Sequence, residues 1–323
     1  MLTIQKSQKI KKNLVITDIF RTFADYYCVL NGMKKLFLCF LFVAFAATSA
    51  FAQRSEAGAF MGGSFYLGDL NSALFSQTQI AVGAVYRYNL TTRWALRGNV
   101  LWGTVTADDA KHNNPRNLNF RSRIGEFSVQ AEINFMTYFT GSRRYRFTPY
   151  LFGGVGLFTF NPQGYYFDPI SLSSSWIPLR ELRTEGQGLI EYPNVKEYNI
   201  VQVALPFGLG FKYSLNNTFS IGLEWGMRFT FTDYLDDVSG FYADPNILGR
   251  EFGSRSAYMS NRWNGPADER PPVGSRRGES NARDWYSFAG VTLTAKIGRI
   301  RPQMCPAHRV SGADRVRRAM GDF

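Results

Sequence analysis

The sequence predicts an all-β chain that closes into an eight-stranded antiparallel transmembrane β-barrel with long external loops. Every second residue from Phe219 to Phe231 is apolar, and the residues between them are polar or small. This alternation indicates a strand with two unlike faces. Soluble strands usually run ~3–10 residues, whereas a tilted membrane-spanning strand needs ~9–11. A soluble sandwich strand is the alternative, but it rarely carries so many large apolar side chains on one face.

Seven further segments repeat the pattern, so the predicted strand number is even, as in single-chain bacterial outer-membrane barrels. The eight predicted strands are residues 57–67, 79–90, 94–104, 123–139, 147–160, 198–213, 219–231 and 285–297. The inward face of the first, glycine-rich strand stays unassigned. The apolar faces of residues 79–90, 94–104, 123–139, 198–213 and 219–231 are expected to contact lipid.

The predicted connections alternate in length. Residues 91–93, 140–146 and 214–218 form short turns, whereas 69–78, 105–122, 161–197 and 232–284 are longer. Short periplasmic turns and long external loops are typical of outer-membrane barrels, so both termini are predicted to be periplasmic. Aromatic residues on the lipid-facing side cluster near both strand ends, which predicts two aromatic girdles at the membrane interfaces. They are Tyr88, Trp94, Phe139, Tyr213 and Phe219 at one end and Trp102, Phe127, Phe229 and Phe231 at the other.

Residues 33–52 have the three parts of a secretory signal peptide: Lys34 and Lys35, an apolar run, and a small-residue cleavage site ending at Ala52. Residues 1–32 precede this complete signal, which favours Met33 as the true start; a genuine long leader is the alternative. The predicted organisation is therefore an upstream extension (1–32), a signal peptide (33–52), the barrel (53–298) and a basic periplasmic tail (299–323).

Composition excludes several functional classes. Of 37 Lys and Arg and 25 Asp and Glu, seven and two precede Gln53, so the mature chain carries a net charge of +7. The basic residues form no nucleic-acid recognition motif. The mature chain keeps two histidines, His112 and His308, and one cysteine, Cys305. No nucleophile, histidine and acid can be placed together, so we predict neither an enzyme nor a cofactor.

The inward-facing set contains charges of both signs. An eight-stranded barrel is just wide enough for side chains to fill it, and unpaired buried charges are costly. We therefore predict a packed polar network that closes the lumen, with a conducting or substrate-binding lumen as the alternative. Its predicted members are Arg87, Arg97, Glu126, Glu132, Lys212, Glu224 and Arg228.

Two other clusters stand out. Asp233, Asp236 and Asp237 follow the seventh predicted strand; they suit a turn and strand-end cap, with calcium binding as the alternative. The turn 140–146 carries Arg143, Arg144 and Arg146 as candidate partner contacts, with simple solvation as the other interpretation.

Several segments together resemble the PorG-like family of small outer-membrane barrels, which includes a component of the type IX secretion and gliding machinery. They are GGSFYLGDLN (62–71), TPYLFGGVGLF (148–158), TEGQG (184–188), LPFGLGFKYSL (205–215), TDYLDDVSGFY (232–242) and Cys305-Pro306. The resemblance spans about residues 54–308, and Asp69, Asp233, Asp236 and Asp237 fall in its motifs. It implies an OmpA-like barrel in the outer membrane that contacts a periplasmic ring of PorK-like and PorN-like proteins.

Two functional classes are open at this point. The first is a non-enzymatic assembly or anchoring subunit of a type IX secretion machine, monomeric and surrounded by outer-membrane lipid. The second is a free-standing OmpA-like envelope protein, a narrow pore or a surface adhesin.

Overall fold

A computed structural model describes residues 55–297, apart from residues 72, 74, 113, 143 and 281. The predicted upstream extension, signal peptide and periplasmic tail lie outside the described residues, as does Arg143. Among the described residues, no helix is long and apolar enough to cross a membrane.

Eight strands close into an antiparallel barrel, which confirms the predicted fold class. The described residues form ten strands, and eight of them make up the barrel. In chain order the ten are β1 (Ser55–Leu67), β2 (Gln79–Asn89), β3 (Trp94–Asp108), β4 (Asn119–Asn134), β5 (Phe147–Thr159), β6 (Pro162–Asp168), β7 (Ser173–Pro178), β8 (Val201–Ser214), β9 (Phe219–Thr230) and β10 (Trp285–Ile297). The barrel order is β1-β2-β3-β4-β5-β8-β9-β10, and β10 pairs back with β1. β6 and β7 form an added hairpin outside this ring.

The period of two sorts the side chains to the two faces of the wall. On β9, Leu223 is 63% exposed on the outside, whereas its neighbour Glu224 is 6% exposed on the inside. The same alternation runs along β4 and β8, so the outer surface is an almost continuous band of aliphatic and aromatic side chains. A continuous apolar band of this kind is expected to contact the hydrocarbon core of a membrane and not water. The barrel wall is a lipid-facing surface with a polar interior.

The structure corrects several predicted strand bounds. β4 starts at Asn119 and ends at Asn134, whereas the alternation predicted residues 123–139. Phe135 and Met136 are consecutive apolar residues, both exposed, and the chain leaves the sheet there. β3 continues to Asp108, which pairs with Asn119, so β3 and β4 project beyond the predicted membrane span as a long hairpin.

The long loops fold into a structured cap over one mouth of the barrel. The β6–β7 hairpin joins the sheet where Gln163 pairs with Arg121 of β4. Three short helices accompany it: α1 (Leu179–Leu182), α2 (Pro245–Phe252) and α3 (Ser254–Ser260). α2 begins after Asp244, whose carboxylate accepts a hydrogen bond from the Asn246 backbone at 2.8 Å, as expected for a helix N-cap.

An aromatic layer lies between the cap and the lumen. Tyr66 packs edge-on against Phe120 with ring centres 4.7 Å apart, and Phe158 lies 5.1 Å from Tyr286. Tyr198 stacks on Tyr234 at 4.8 Å. The prediction placed Tyr198 at the start of a strand, but β8 begins at Val201, and Tyr198 is a buried loop residue of this layer.

Candidate functional site

The barrel interior holds eight buried charged side chains, four acidic and four basic. They are Glu56, Arg87, Arg97, Glu126, Glu132, Lys212, Glu224 and Arg228. Each belongs to the inward face of its strand, and each forms an ion pair with another member of the set. We call this set the lumen network.

The network converges on Glu132 of β4, which is fully buried. Its carboxylate accepts hydrogen bonds from Arg87 Nε at 2.9 and 3.0 Å and from Lys212 Nζ at 2.6 Å. Arg97 Nη1 lies 3.5 Å away. Arg87 also binds Glu56 of β1 at 2.9 Å. One carboxylate therefore ties together β2, β3 and β8 across the lumen.

Two further pairs lie farther along the lumen. Glu224 of β9 binds Arg97 at 2.6 Å and the Tyr150 hydroxyl at 2.7 Å. Glu126 of β4 binds Arg228 at 2.9 Å and the Tyr286 hydroxyl at 3.0 Å. The acids and bases balance, so the network leaves no excess of one sign that would draw ions through the barrel.

Aromatic rings fill the space between the ion pairs. The Phe152 ring lies under the Arg97 guanidinium, 4.5 Å from it, in a favourable cation–π geometry. A glycine opposite makes room for this ring, because a Cβ on Gly226 would lie 2.6 Å from the Phe152 ring. The small inward residues of β8 and β9 thus admit large groups from the far wall.

All seven predicted members of the network lie in the lumen, but the prediction missed Glu56. The first strand was predicted to begin at residue 57 and its inward face was left open, whereas β1 begins at Ser55. Glu56 lies on the same face as Phe60, two pleats along, and it receives a hydrogen bond from Thr140 at 2.6 Å. Glu56 lies four residues before Phe60 and therefore on the same face of the strand. This alternation is the sequence signal by which Glu56 could have been predicted.

The four aspartates of the family-like motifs lie in the cap. Asp237 accepts hydrogen bonds from the hydroxyls of Thr184 at 2.5 Å and Tyr198 at 2.8 Å. Asp69 accepts one from the Glu279 backbone at 2.7 Å. These contacts join segments far apart in sequence, so the motif residues hold the external loops together.

A buried arginine and glutamate complete this arrangement. Glu185 accepts hydrogen bonds from the backbone of Ser239 and Gly240 and from Arg277, the last at 2.8 Å. Arg277 also donates to the Asp237 carbonyl at 2.6 Å.

Arg116 connects two further loops to this arrangement. It donates to the carbonyls of Arg277 and Asp69 and forms an ion pair with Asp109 at 2.8 Å. All four long loops meet here, and we call these contacts the cap network.

Tyr66 bridges two buried carboxyl groups beneath the cap. Its hydroxyl lies 2.5 Å from Asp236 and 2.8 Å from Asp284. A hydroxyl carries one proton and can donate it to one acceptor. We therefore infer that one of the two carboxyl groups is protonated and donates to the Tyr66 oxygen. This agrees with burial, which raises the pKa of both Asp236 and Asp284 well above the usual range.

Asp233 is 4% exposed, and its Oδ2 has no hydrogen-bond partner among the described residues. Burial raises its pKa to about 7. Burial also raises the pKa of Asp237 to about 6, against the opposing effect of Arg277. Within the described part of the chain, no three His, Cys, Asp or Glu side chains are arranged to hold a metal ion. Asp236 and Asp237 use their oxygens on protein donors, which suits the predicted role as turn and strand-end caps.

The predicted basic turn lies at the opposite mouth. Arg144 and Arg146 are exposed there, and the Arg144 guanidinium lies 5.6 Å from the Tyr145 ring. Neither arginine forms an ion pair with a described residue. The lumen network, the cap network and this turn are therefore three separate features along the barrel axis.

Comparisons with known proteins give the following similarities. A family described as "Domain of unknown function (DUF6089)" matches residues 34–170. No curated protein matches. Among solved structures, the chain is similar to the amino-terminal β-barrel domain of Pseudomonas aeruginosa OprF, with 13% identity over 75% of this chain and 98% of that one and a TM-score of 0.28.

Two further similar structures come from other bacteria. Neisserial surface protein A shares 10% identity over 75% of this chain and 97% of its own, with a TM-score of 0.35. The attachment invasion locus protein Ail of Yersinia pestis, solved with the heparin analogue sucrose octasulfate, shares 9% identity over 75% and 99%, with a TM-score of 0.32.

Proposed function

We propose that this chain is a non-enzymatic outer-membrane barrel that acts as an assembly or anchoring subunit of a type IX protein secretion machine. The main observation in support of this proposal is the closed interior. Eight paired charged side chains fill the lumen, and the cap network covers one mouth. A barrel with a filled lumen and a covered mouth can act as an anchor in the membrane, but it offers no path for solutes. The secretion role itself rests on the resemblance of the motif segments to PorG-like barrels.

The orientation and partner belong to the same proposal. Both termini and the short turns face the periplasm, where PorK-like and PorN-like ring proteins would lie. The proposed contacts are the carboxyl tail and the turn 140–146. In the turn, the contacting side chains are Arg143, Arg144 and Arg146. Basic contacts favour an acidic partner and give salt-sensitive association.

A free-standing envelope protein is the second candidate, and one observation favours it. The tip of the β6–β7 hairpin projects apolar side chains into solvent, with Ile170 93% exposed and Leu172 77% exposed. Exposed apolar groups at the end of a projecting hairpin suit contact with another surface. This feature favours an adhesin over a narrow pore within that alternative.

Co-purification separates the two candidates. The detergent-solubilised wild-type barrel should retain ring proteins from a host that carries the secretion system. The double change Arg143→Glu and Arg144→Glu should abolish retention at low salt while the barrel keeps its heat-modifiable mobility in gels. Arg250→Glu, an exposed change on α2 at the other mouth, is the matched control. Absence of ring proteins from the wild-type sample would reject the secretion role and leave the envelope protein.

A further inference from the structure

The mouth formed by the short turns has a one-sided charge pattern. The charged side chains that reach solvent there, among the described residues, are Arg93, Arg144, Arg146 and Lys296. The acids at this end, Glu56 and Glu132, are buried in the lumen network. The exposed charge of this mouth is therefore wholly basic.

The opposite mouth differs, because several of its exposed bases pair with acids of the same chain. Arg250 pairs with Glu251 at 2.9 Å, Arg255 lies 3.6 Å from Asp168, and Arg276 pairs with Glu279. Those bases are largely neutralised by their own chain. The bases of the short-turn mouth form no ion pair with any described residue, so they are available to an external anion.

Arg93, Arg144 and Arg146 each precede an exposed aromatic side chain. Their neighbours Trp94, Tyr145 and Phe147 are 48%, 40% and 44% exposed, and Trp94 and Phe147 begin β3 and β5 on the outer wall. Aromatic side chains at strand ends mark the level of the lipid headgroups. Arg93 and Arg146 lie one residue beyond that level, where the phosphate groups are. Lys296 is placed differently, because it is the strand-pairing partner of Glu56 and shares the inward parity of Thr294 on β10, so it faces the mouth of the lumen.

The three arginines lie in two different turns. Arg93 directly precedes β3, whereas Arg144 and Arg146 precede β5. In the barrel order, β4 separates these two strands. Both turns end at the same mouth, so their arginines meet the same leaflet of lipid.

We propose that Arg93, Arg144 and Arg146 form a belt along two turns, which binds the phosphate headgroups of anionic glycerophospholipids in the leaflet at the short-turn mouth. The belt acts on lipid whether or not the chain serves a secretion machine. It favours a membrane position in which this mouth faces an anionic phospholipid leaflet. Each base near such a surface strengthens binding roughly fivefold.

The test uses the purified, folded barrel in detergent, titrated with phosphatidylglycerol or phosphatidylcholine and followed by native mass spectrometry. The belt variant carries Arg93→Gln, Arg144→Gln and Arg146→Gln. The matched control carries Arg250→Gln, Arg255→Gln and Arg276→Gln, which removes the same charge from the opposite mouth. We expect wild type and control to prefer phosphatidylglycerol, and the belt variant to lose at least tenfold of that binding, with mobility shift on heating unchanged in all three.

Three outcomes would overturn the belt. The belt and control variants could lose phosphatidylglycerol binding equally, which would make the attraction one of net charge. The belt variant could bind as wild type does. Arg146→Gln alone could account for the whole loss, which would make the site one residue and not a belt. Arg93 lies outside the turn 140–146, so Arg93→Gln alone should weaken phosphatidylglycerol binding and leave ring-protein co-purification unchanged, which separates the two kinds of binding.

Discussion

Glu132 is the residue on which the lumen network converges. Its carboxylate faces three basic groups in a fully buried position. Removing one partner of a buried ion pair leaves uncompensated charge, which usually costs ~3–5 kcal/mol. The surface pairs of the chain lie in water and contribute far less.

The change Glu132→Gln should therefore lower the free energy of unfolding by about 3–5 kcal/mol. The amide keeps the shape of the side chain but leaves Arg87, Arg97 and Lys212 without their shared anion. Urea unfolding in lipid vesicles, followed by tryptophan fluorescence, measures the loss. Glu251→Gln, which removes an exposed partner of Arg250, is the control and should change stability by less than about 1 kcal/mol. Equal effects of the two changes would contradict the central place of Glu132.

The cap aspartates make the cap sensitive to pH. Burial raises the pKa of Asp233 to about 7 and that of Asp237 to about 6, whereas an aspartate in an unfolded segment has a pKa of about 3.9. Between about pH 4 and pH 7 the folded cap binds protons that the opened cap does not. Cap stability therefore falls as pH rises through this window.

Hydrogen exchange of the Ser239 and Gly240 amides, which donate to Glu185, reports this effect. After correction for the intrinsic pH dependence of exchange, protection should be lower at pH 8 than at pH 5. Asp233→Asn removes one titrating group, so it should flatten the profile. Protection that is equal at both pH values in wild type would show that these carboxyl groups do not govern the cap.

At the scale of elements, β9 tests the assignment of faces. Its outer residues meet lipid and its inner residues meet the lumen network. A charge on the lipid side near the bilayer midplane costs ~2–4 kcal/mol, whereas a conservative inner change keeps its contacts.

Replacing Leu223 with Arg should therefore destabilise the inserted barrel by ~2–4 kcal/mol. Thr230→Ser should cost little, because it retains the hydroxyl, which lies 3.0 Å from the Thr232 carbonyl and 2.6 Å from the Asp284 carbonyl and donates to one of them. The measurement is unfolding in vesicles together with gel mobility before and after heating. If both variants insert and unfold like wild type, the two faces of β9 are wrongly assigned.

The strands could be predicted from the sequence because a wall between lipid and a packed lumen imposes a period of two. The seven predicted network residues follow from parity alone. The prediction failed at strand ends, where the period of two no longer applies. Residues 135–139 carry apolar groups without leading the strand onward, and Glu56 lies just before the predicted start of β1.

The cap network could not be predicted, because its contacts are made between loops distant in sequence. Thr184 reaches Asp237, and Glu185 reaches Arg277, 92 positions away. No periodicity marks such pairs. The motif segments TEGQG and TDYLDDVSGFY were visible as sequence, but only the folded loops show that they bind each other.

At the level of the whole molecule, the barrel is closed. The lumen network is neutral and paired, aromatic rings fill the gaps beside it, and the cap network joins all four long loops at one mouth. An anchoring or envelope role needs a stable closed barrel of this kind, whereas a pore needs a continuous path through it.

Planar-bilayer recording of the purified, heat-modifiable barrel shows whether the lumen is closed to ions. The closed lumen predicts no large, stable conductance at neutral pH, with a known porin recorded under the same conditions as the control. A steady current of porin size from the wild-type barrel would contradict the closed lumen and favour the pore.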